Sequence, residues 1–144
     1  MTTSGDYVPS TRKGARDQVS EIERTGTTDS VDIMGLPVVL LTMVGAKTGA
    51  IRKVPLMRVE HEGLYAAVAS MGGSPEHPQW YWNLRHRPEL DLQDGTVVSR
   101  RGAREIEGAE RDEWWERCVA AFPPYAGYQR KTDRLIPVFV LEPV

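Results

Sequence analysis

Pro37-Val38-Val39-Leu40-Leu41-Thr42-Met43-Val44 is followed by the turn Gly45-Ala46-Lys47-Thr48-Gly49, then by Ile51 to His61 and Leu64 to Met71. These apolar, partly β-branched runs, bounded by glycine, read as three strands joined by tight turns. In the second strand Ile51, Val54, Leu56, Met57 and Val59 put apolar groups on both faces, as a barrel or sandwich strand requires. Pro55 cannot donate to a ladder, so that strand has a bulge or an edge there. Glu62-Gly63 makes the next hairpin turn. Lys47, Arg52, Lys53 and Arg58 fall between Pro37 and Val59 with no acidic residue among them, although the formal net charge of the chain is -2. The pattern predicts a sheet that presents a cationic, glycine-lined edge to an anionic ligand.

Before this stretch, residues 1–10 read as a flexible tip. Residues 11–24 read as a helix, with Ala15, Val19 and Ile22 at i, i+4, i+7. That helix packs on the barrel, or else touches a membrane surface through Arg12, Lys13 and Arg16. After the third strand, Pro78 suits the first turn of a helix running to Arg87. The N-terminus of that helix follows Gly72-Gly73 and aims backbone N–H groups at the loop. Glu89 to Gln93 and Thr96 to Ile106 read as a hairpin about Asp94-Gly95. Ala109 to Phe122 forms an amphipathic helix with acidic residues in its first turn. Pro123-Pro124 breaks it, a short helix carries Tyr125 and Tyr128, and Leu135 to Leu141 is a closing strand. The expected fold is α+β and mainly β: a split β-barrel of about six to seven antiparallel strands, with an N-terminal helix and two to three packed helices. Residues 11–144 form its single domain.

At 144 residues the chain can bury a real core as one domain. A pI near 5.9 argues against general nucleic-acid binding and for a discrete anionic ligand. One cysteine excludes an internal disulfide and suits a reducing compartment. Cys118 lies in an apolar helical pattern and reads as a buried structural thiol. No segment approaches the ~18 apolar residues of a spanning helix. The N-terminal residues lack an apolar signal-peptide core, which points to the cytoplasm.

His61, His77 and His86 are not spaced as ligands on one helix face, so no metal is expected. No nucleophile elbow, Walker loop or dinucleotide fingerprint is present. An enzyme built this way borrows its chemistry from an organic cofactor. Lys47 and Arg52 beside the glycine turn can hold phosphate or carboxylates, or Lys47 is a solvated tip. Ala69-Ser70-Met71-Gly72-Gly73 is a tight turn whose small residues also let a flat ring lie against the backbone. Trp80, Tyr81 and Trp82 read first as core. Tyr125 and Tyr128 are either core or hydroxyls at a pocket mouth.

In order along the chain, Val39-Leu40-Leu41-Thr42, Gly45-Ala46-Lys47-Thr48-Gly49, Arg52-Lys53-Val54-Pro55-Leu56, Ala69-Ser70-Met71-Gly72-Gly73, His77-Pro78-Gln79-Trp80-Tyr81-Trp82-Asn83-Leu84 and Tyr125 to Arg134 resemble the deazaflavin-dependent nitroreductase family. The resemblance covers residues 23–144. It implies a split barrel related to the FMN-binding, pyridoxamine-phosphate-oxidase-like proteins. The implied cofactor is coenzyme F420, an 8-hydroxy-5-deazaflavin with a phosphate and an oligoglutamate tail. By the resemblance, Lys47, Arg52 and Pro55 lie along the phosphate and tail, and Thr48, Lys53 and Val54 are cofactor-binding as well. Ala69, Ser70, Met71, Gly72 and Gly73 pass the ring system. Trp80, Tyr81, Asn83 and Leu84 complete the groove. Tyr125 and Tyr128 lie over the substrate face. The nitroreductase itself carries Lys where this chain has Met71, Asn where it has Val54, and an aromatic where it has Lys131.

The activity so implied is hydride transfer from reduced F420 to an electron-poor conjugated acceptor, an enone or a quinone. Tyr128, then Tyr125 and Ser70, are the candidate donors to the developing negative charge. An FMN enzyme on the same barrel and a non-catalytic deazaflavin carrier remain alternatives. The expected partners are a small conjugated carbonyl or quinone, no nucleic acid, at most peripheral membrane contact through the N-terminal helix, and no second subunit.

Overall fold

The computed structural model describes residues 6–144. Its strands are β1 (Val38–Val44), β2 (Ile51–Met57), β3 (Glu60–His61), β4 (Leu64–Val68), β5 (Glu89–Asp94), β6 (Val97–Glu105) and β7 (Val138–Pro143). All pair antiparallel in one seven-stranded sheet of order β2-β1-β5-β6-β7-β4-β3. The helices are α1 (Lys13–Thr25), α2 (Gln79–His86), α3 (Gly108–Ala121) and α4 (Pro124–Arg130).

The two outermost strands of this sheet are neighbours in sequence. Only Arg58 and Val59 separate β2 from β3. Three residue steps reach at most about 11 Å, so the two edges must lie close together and the sheet must curl. It does: β2 touches β4 across the seam, and the result is the expected barrel, split along that line. Ile51 to His61, read as one strand, is therefore two. The break falls where the Arg58 N–H donates to the Pro37 carbonyl (3.0 Å) and the Arg58 guanidinium pairs with Asp94 (2.9 Å). Pro55 sits opposite Leu40 on β2, an edge strand where its missing N–H leaves no ladder bond unmade.

Strand alternation sorts the apolar residues into two cores. Val39, Leu41 and Met43 of β1, Ala67 and Ala69 at the end of β4, and Phe139 and Leu141 of β7 face one interior, shared with Trp80, Tyr81 and Leu84 of α2. Ala66, Val68, Val138 and Val140 face the other way, onto Trp114 and Cys118 of α3, Phe122, and Tyr125 of α4. Burial on both faces explains why these strands read as continuous apolar runs. A third cluster joins Val19 and Ile22 of α1 to Leu40 on the outer side of β1.

Of the stretch read as a flexible tip, residues 1–5 lie outside the described residues. Residues 6–8 differ from that expectation. Tyr7 bridges Ile51 in parallel, with Ile51 N–H donating to the Asp6 carbonyl (2.7 Å) and Val8 N–H to the Ile51 carbonyl (2.9 Å). The open edge at the start of β2 supplied the partners.

Candidate functional site

A cavity of about 420 Å³ opens beside β2, bordered by Arg52 to Met57, by Ser70 and Met71 after β4, by the first turn of α2, and by Phe122, Tyr125 and Tyr128 around α4. Ser10 to Arg12 and Ala15, at the start of α1, close a further side. The fold thus brings together stretches that are far apart in sequence. Arg52, Lys53, Val54, Pro55, Ser70, Met71, Trp80, Asn83, Tyr125 and Tyr128 all border this one space.

The hydroxyls of Ser70, Tyr125 and Tyr128 have no hydrogen-bond partner among the described residues. Ser70 and Tyr125 are nonetheless buried, at 8% and 4% exposure. The side chains of all three border the cavity, and none of the three oxygens is sealed from it, so together they form a set of donors open to a ligand. Burial pushes the Tyr125 phenol well above its ordinary value. It therefore stays protonated near neutrality and can donate a hydrogen bond without releasing its proton. Phe122 and Tyr128 both meet its ring edge-on, with centroids 4.9 and 6.2 Å away.

Several expected contacts lie elsewhere. Lys53 borders the cavity, but its ammonium is 2.7 Å from Glu23 on α1 and 5.0 Å from the Tyr7 ring. Adjacent strand residues point to opposite faces, and the ammonium of Lys53 is directed to Glu23 on α1. Arg52 has no carboxylate partner among the described residues. Lys47 and Thr48 stand exposed on the β1–β2 turn and do not border the cavity. Tyr81 and Leu84 point into the barrel core. The Tyr81 hydroxyl lies 3.1 Å from Glu105 and accepts from Arg85 at 3.1 Å. The i, i+4 spacing of Trp80 and Leu84 marks a core stripe, and Trp80 alone of that pair reaches the cavity.

Asn83 is 2% exposed. Its Oδ1 accepts from the Ala46 N–H at 2.9 Å and from Gln79 Nε2 at 3.3 Å. It therefore ties α2 to the glycine turn that carries Lys47. Ala69 is wholly buried, and Gly72 and Gly73 take positive φ angles, 67° and 85°. At Gly73 a Cβ would lie 2.8 Å from the Tyr128 carbonyl. The glycine pair thus lets the loop approach α4, and neither glycine borders the cavity. Met71 also has a positive φ, 47°, and is 43% exposed.

Residue-by-residue reading missed the contribution of Ser10 to Arg12, because helix periodicity says nothing about where a helix start will dock. It also left Arg134 without a role. Its guanidinium donates to the carbonyls of Ser74 (2.8 Å), Ala69 (3.1 Å) and Ser70 (2.9 Å), and lies 3.0 Å from His77 Nδ1. Burial, and then the Arg134 charge, push His77 below its ordinary value. Its Nδ1 is then the acceptor. Cys118 is buried, and that burial pushes its thiol up to about 12, which leaves it structural. Among the described residues no group of His, Cys, Asp and Glu is placed to hold a metal ion.

Residues 14–143 match the family model described as F420H(2)-dependent quinone reductase. An F420H(2)-dependent quinone reductase of Mycobacterium tuberculosis (strain ATCC 25618 / H37Rv) is 33% identical over 108 residues, which is 73% of this chain and 72% of the relative. A solved structure of an F420-H2 dependent reductase (FDR-A) is 57% identical, with a TM-score of 0.71 over 78% of this chain and 99% of the other. Another, described as a domain-swapped dimer, is 55% identical, with a TM-score of 0.73 over 88% and 96% of the two chains.

Proposed function

The chain belongs to the F420H(2)-dependent quinone reductase family, and on that premise we propose that it is an oxidoreductase passing a hydride from reduced coenzyme F420 to a quinone. The observation that carries the reading is a single cavity bordered both by Arg52 and by the hydroxyls of Ser70, Tyr125 and Tyr128, none of them paired among the described residues. Its volume of about 420 Å³ falls in the range of roughly 300–1,000 Å³ usual for small-molecule sites. The donor set suits a ligand with acceptor oxygens and an anionic tail, so the residues fit the cofactor.

When bound, reduced F420 supplies two electrons at once as hydride. The chain's own residues bind, orient and supply hydrogen bonds. Arg52 offers bidentate contacts to phosphate or carboxylate, and Lys47 on the neighbouring turn adds a point charge for the tail. Val54, Pro55, Ser70, Met71, Trp80 and Asn83 form the walls. As a quinone accepts hydride, negative charge grows on its carbonyl oxygen. A preorganised O–H at that oxygen lowers the barrier, with the loss of one such donor worth about 10²–10³ in rate. Tyr128 is the first candidate, because its ring is only half-buried and can meet an incoming acceptor. Tyr125 and Ser70 are the others. Lys53 is left out of the tail contacts, since Glu23 already neutralises it.

The working unit in this proposal is one split-barrel domain, residues 11–144, acting as a monomer in the cytoplasm. Residues 6–8 and α1 cover part of the β2 edge, which supports the monomer. Light scattering would test it, and a dimer mass would align the chain with its domain-swapped relative. Among the described residues no helix is long and apolar enough to cross a membrane. Val19 and Ile22 are packed against Leu40. Any membrane contact by α1 would therefore rest on Arg12, Lys13 and Arg16 and be electrostatic.

The test is to mix the protein with reduced deazaflavin and follow its reoxidation with menadione and, in parallel, cyclohexenone. Protein-dependent reoxidation by menadione is expected. Turnover of cyclohexenone alone would move the acceptor class to enones. Binding without reoxidation by either would make the chain a carrier and overturn the proposal.

A further inference from the structure

Arg134 lies just before β7, and its guanidinium is far in sequence from every group it bonds. Its guanidinium meets four acceptors: the carbonyls of Ala69, Ser70 and Ser74, and Nδ1 of His77. No carboxylate pairs with it among the described residues, and burial alone pushes its pKa down. A partly buried guanidinium without a counter-ion is costly to keep, and its five N–H donors in a rigid fork suit several carbonyls at once. The backbone of Arg134 is held in turn. Its carbonyl accepts from Gln129 Nε2 at 2.8 Å, and Gln129 Oε1 accepts from the Ile136 N–H at 2.9 Å. Gln129 follows Tyr128 on α4. A continuous path of hydrogen bonds therefore runs from the helix bearing Tyr125 and Tyr128, through Gln129 and Arg134, to the loop bearing Ser70.

From this path we infer that Arg134 is a positioning residue for the reductase reaction. It fixes the Ala69–Ser74 loop so that the Ser70 hydroxyl meets the acceptor held beneath the two tyrosines. This rests on the function proposed above. Arg134 does not border the cavity and acts through Ser70. Misplacement of a reacting group by about 1 Å can cost on the order of 10²-fold in rate. Three anchored carbonyls on one short loop are what prevents such a shift.

Arg134→Lys keeps the charge and stem but loses the fork, and Arg134→Gln loses both. Hydrogen–deuterium exchange should rise at residues 69–77 in each, with residues 89–105 of the β5–β6 hairpin unchanged. Should Arg134→Gln fail to fold, Arg134→Lys still gives the reading. With reduced deazaflavin and menadione, kcat of Arg134→Lys should fall about 10- to 100-fold, while KM for menadione moves less than about threefold. In a Ser70→Ala background the same substitution should cost no more than about twofold further, as expected of residues acting as a unit. Unchanged exchange at residues 69–77 would overturn the clamp. Fully additive losses, or a Ser70→Ala variant with wild-type kcat, would overturn action through Ser70. If wild-type protein turns over no quinone, the function proposed above fails, and the exchange result still decides the clamp.

Discussion

Gly73 lies so close to Tyr128 that a Cβ on the glycine would sit 2.8 Å from the tyrosine's carbonyl oxygen and 3.2 Å from its Cα. The loop after β4 thus packs closely on the backbone of the helix carrying the candidate hydrogen-bond donors, with the Lys131 Cβ 3.1 Å from the same point. Gly73 also has φ near 85°, a region costly for any residue with a Cβ. Gly73→Ala should therefore combine strain and collision, lower stability by about 2–4 kcal/mol and reduce quinone turnover. Gly72→Ala is the control. Its φ is 67°, but nothing lies near its added Cβ, so only strain of about 1–2 kcal/mol is expected. Equal losses in the two variants, measured by thermal unfolding, would show that the approach to Tyr128 is not tight.

Asn83→Ala leaves the Ala46 N–H and Gln79 without their shared acceptor. A buried group left unpaired costs about 1–3 kcal/mol. Denaturant unfolding should show that loss. Exchange at residues 46–49 should rise, because the turn bearing Lys47 loses its tie to α2. Wild-type protection there would mean that the turn holds itself.

Charge substitutions should separate two lysines that look alike in sequence. Lys47→Ala together with Arg52→Ala should weaken cofactor binding about tenfold or more, since charge-assisted hydrogen bonds are worth about 1.5–3 kcal/mol each. The loss should grow with the number of glutamates in the tail. Lys53→Ala should leave binding within about twofold and shift stability by less than about 1 kcal/mol, as a partly exposed pair with Glu23 allows. Fluorescence titration with cofactors of different tail lengths reads both. Equal affinity for all lengths would remove the electrostatic role.

Tyr128→Phe should lower kcat with menadione about 10²-fold while cofactor affinity stays within about twofold. Tyr125→Phe should lower kcat as well, without altering the pH profile near neutrality, because burial holds that phenol protonated there. Stopped-flow reoxidation of the reduced cofactor is the measurement. Wild-type rates in Tyr128→Phe would take this tyrosine out of the mechanism.

His77 supplies a pH dependence of known sign. Burial and Arg134 depress its pKa in the folded state, so the unfolded chain binds its proton first as pH falls. The stabilising contribution is then complete above the unfolded value of about 6.5. It is lost as pH drops toward the lower folded value. Melting temperature should decline over that window in wild-type protein and decline less in His77→Gln. Identical slopes in the two would mean that His77 is not the titrating group.

Much of the fold was legible because the strands are buried on both faces. Val38 to Met43 read as a core strand, and Pro55 announced a bulge or an edge, of which the sheet shows the edge. The glycine turn, the charge run and the ordered motifs also carried the family likeness, and through it the cofactor class. All of these are local signals of composition, spacing and turn chemistry, which the chain holds without folding. What it could not show is which side chains meet. Lys53 and Arg52 are adjacent in sequence and both border the cavity, yet pleating sends the Lys53 ammonium to Glu23 and leaves Arg52 without a carboxylate partner among the described residues. Tyr81 and Asn83 belong to one motif, yet the helix turns the first into the core and makes the second a tie to Ala46. Arg134 reaches back some sixty residues to the Ser70 loop only because β7 lies beside β4 in the sheet. The nearness of β2 and β3 follows from their two-residue link only once the strand order is known. Local pattern determined the strands, helices and charge of this protein. The closure of the barrel decided the site, because long-range pairing alone brings β2, the β4 loop, α2 and α4 around one cavity.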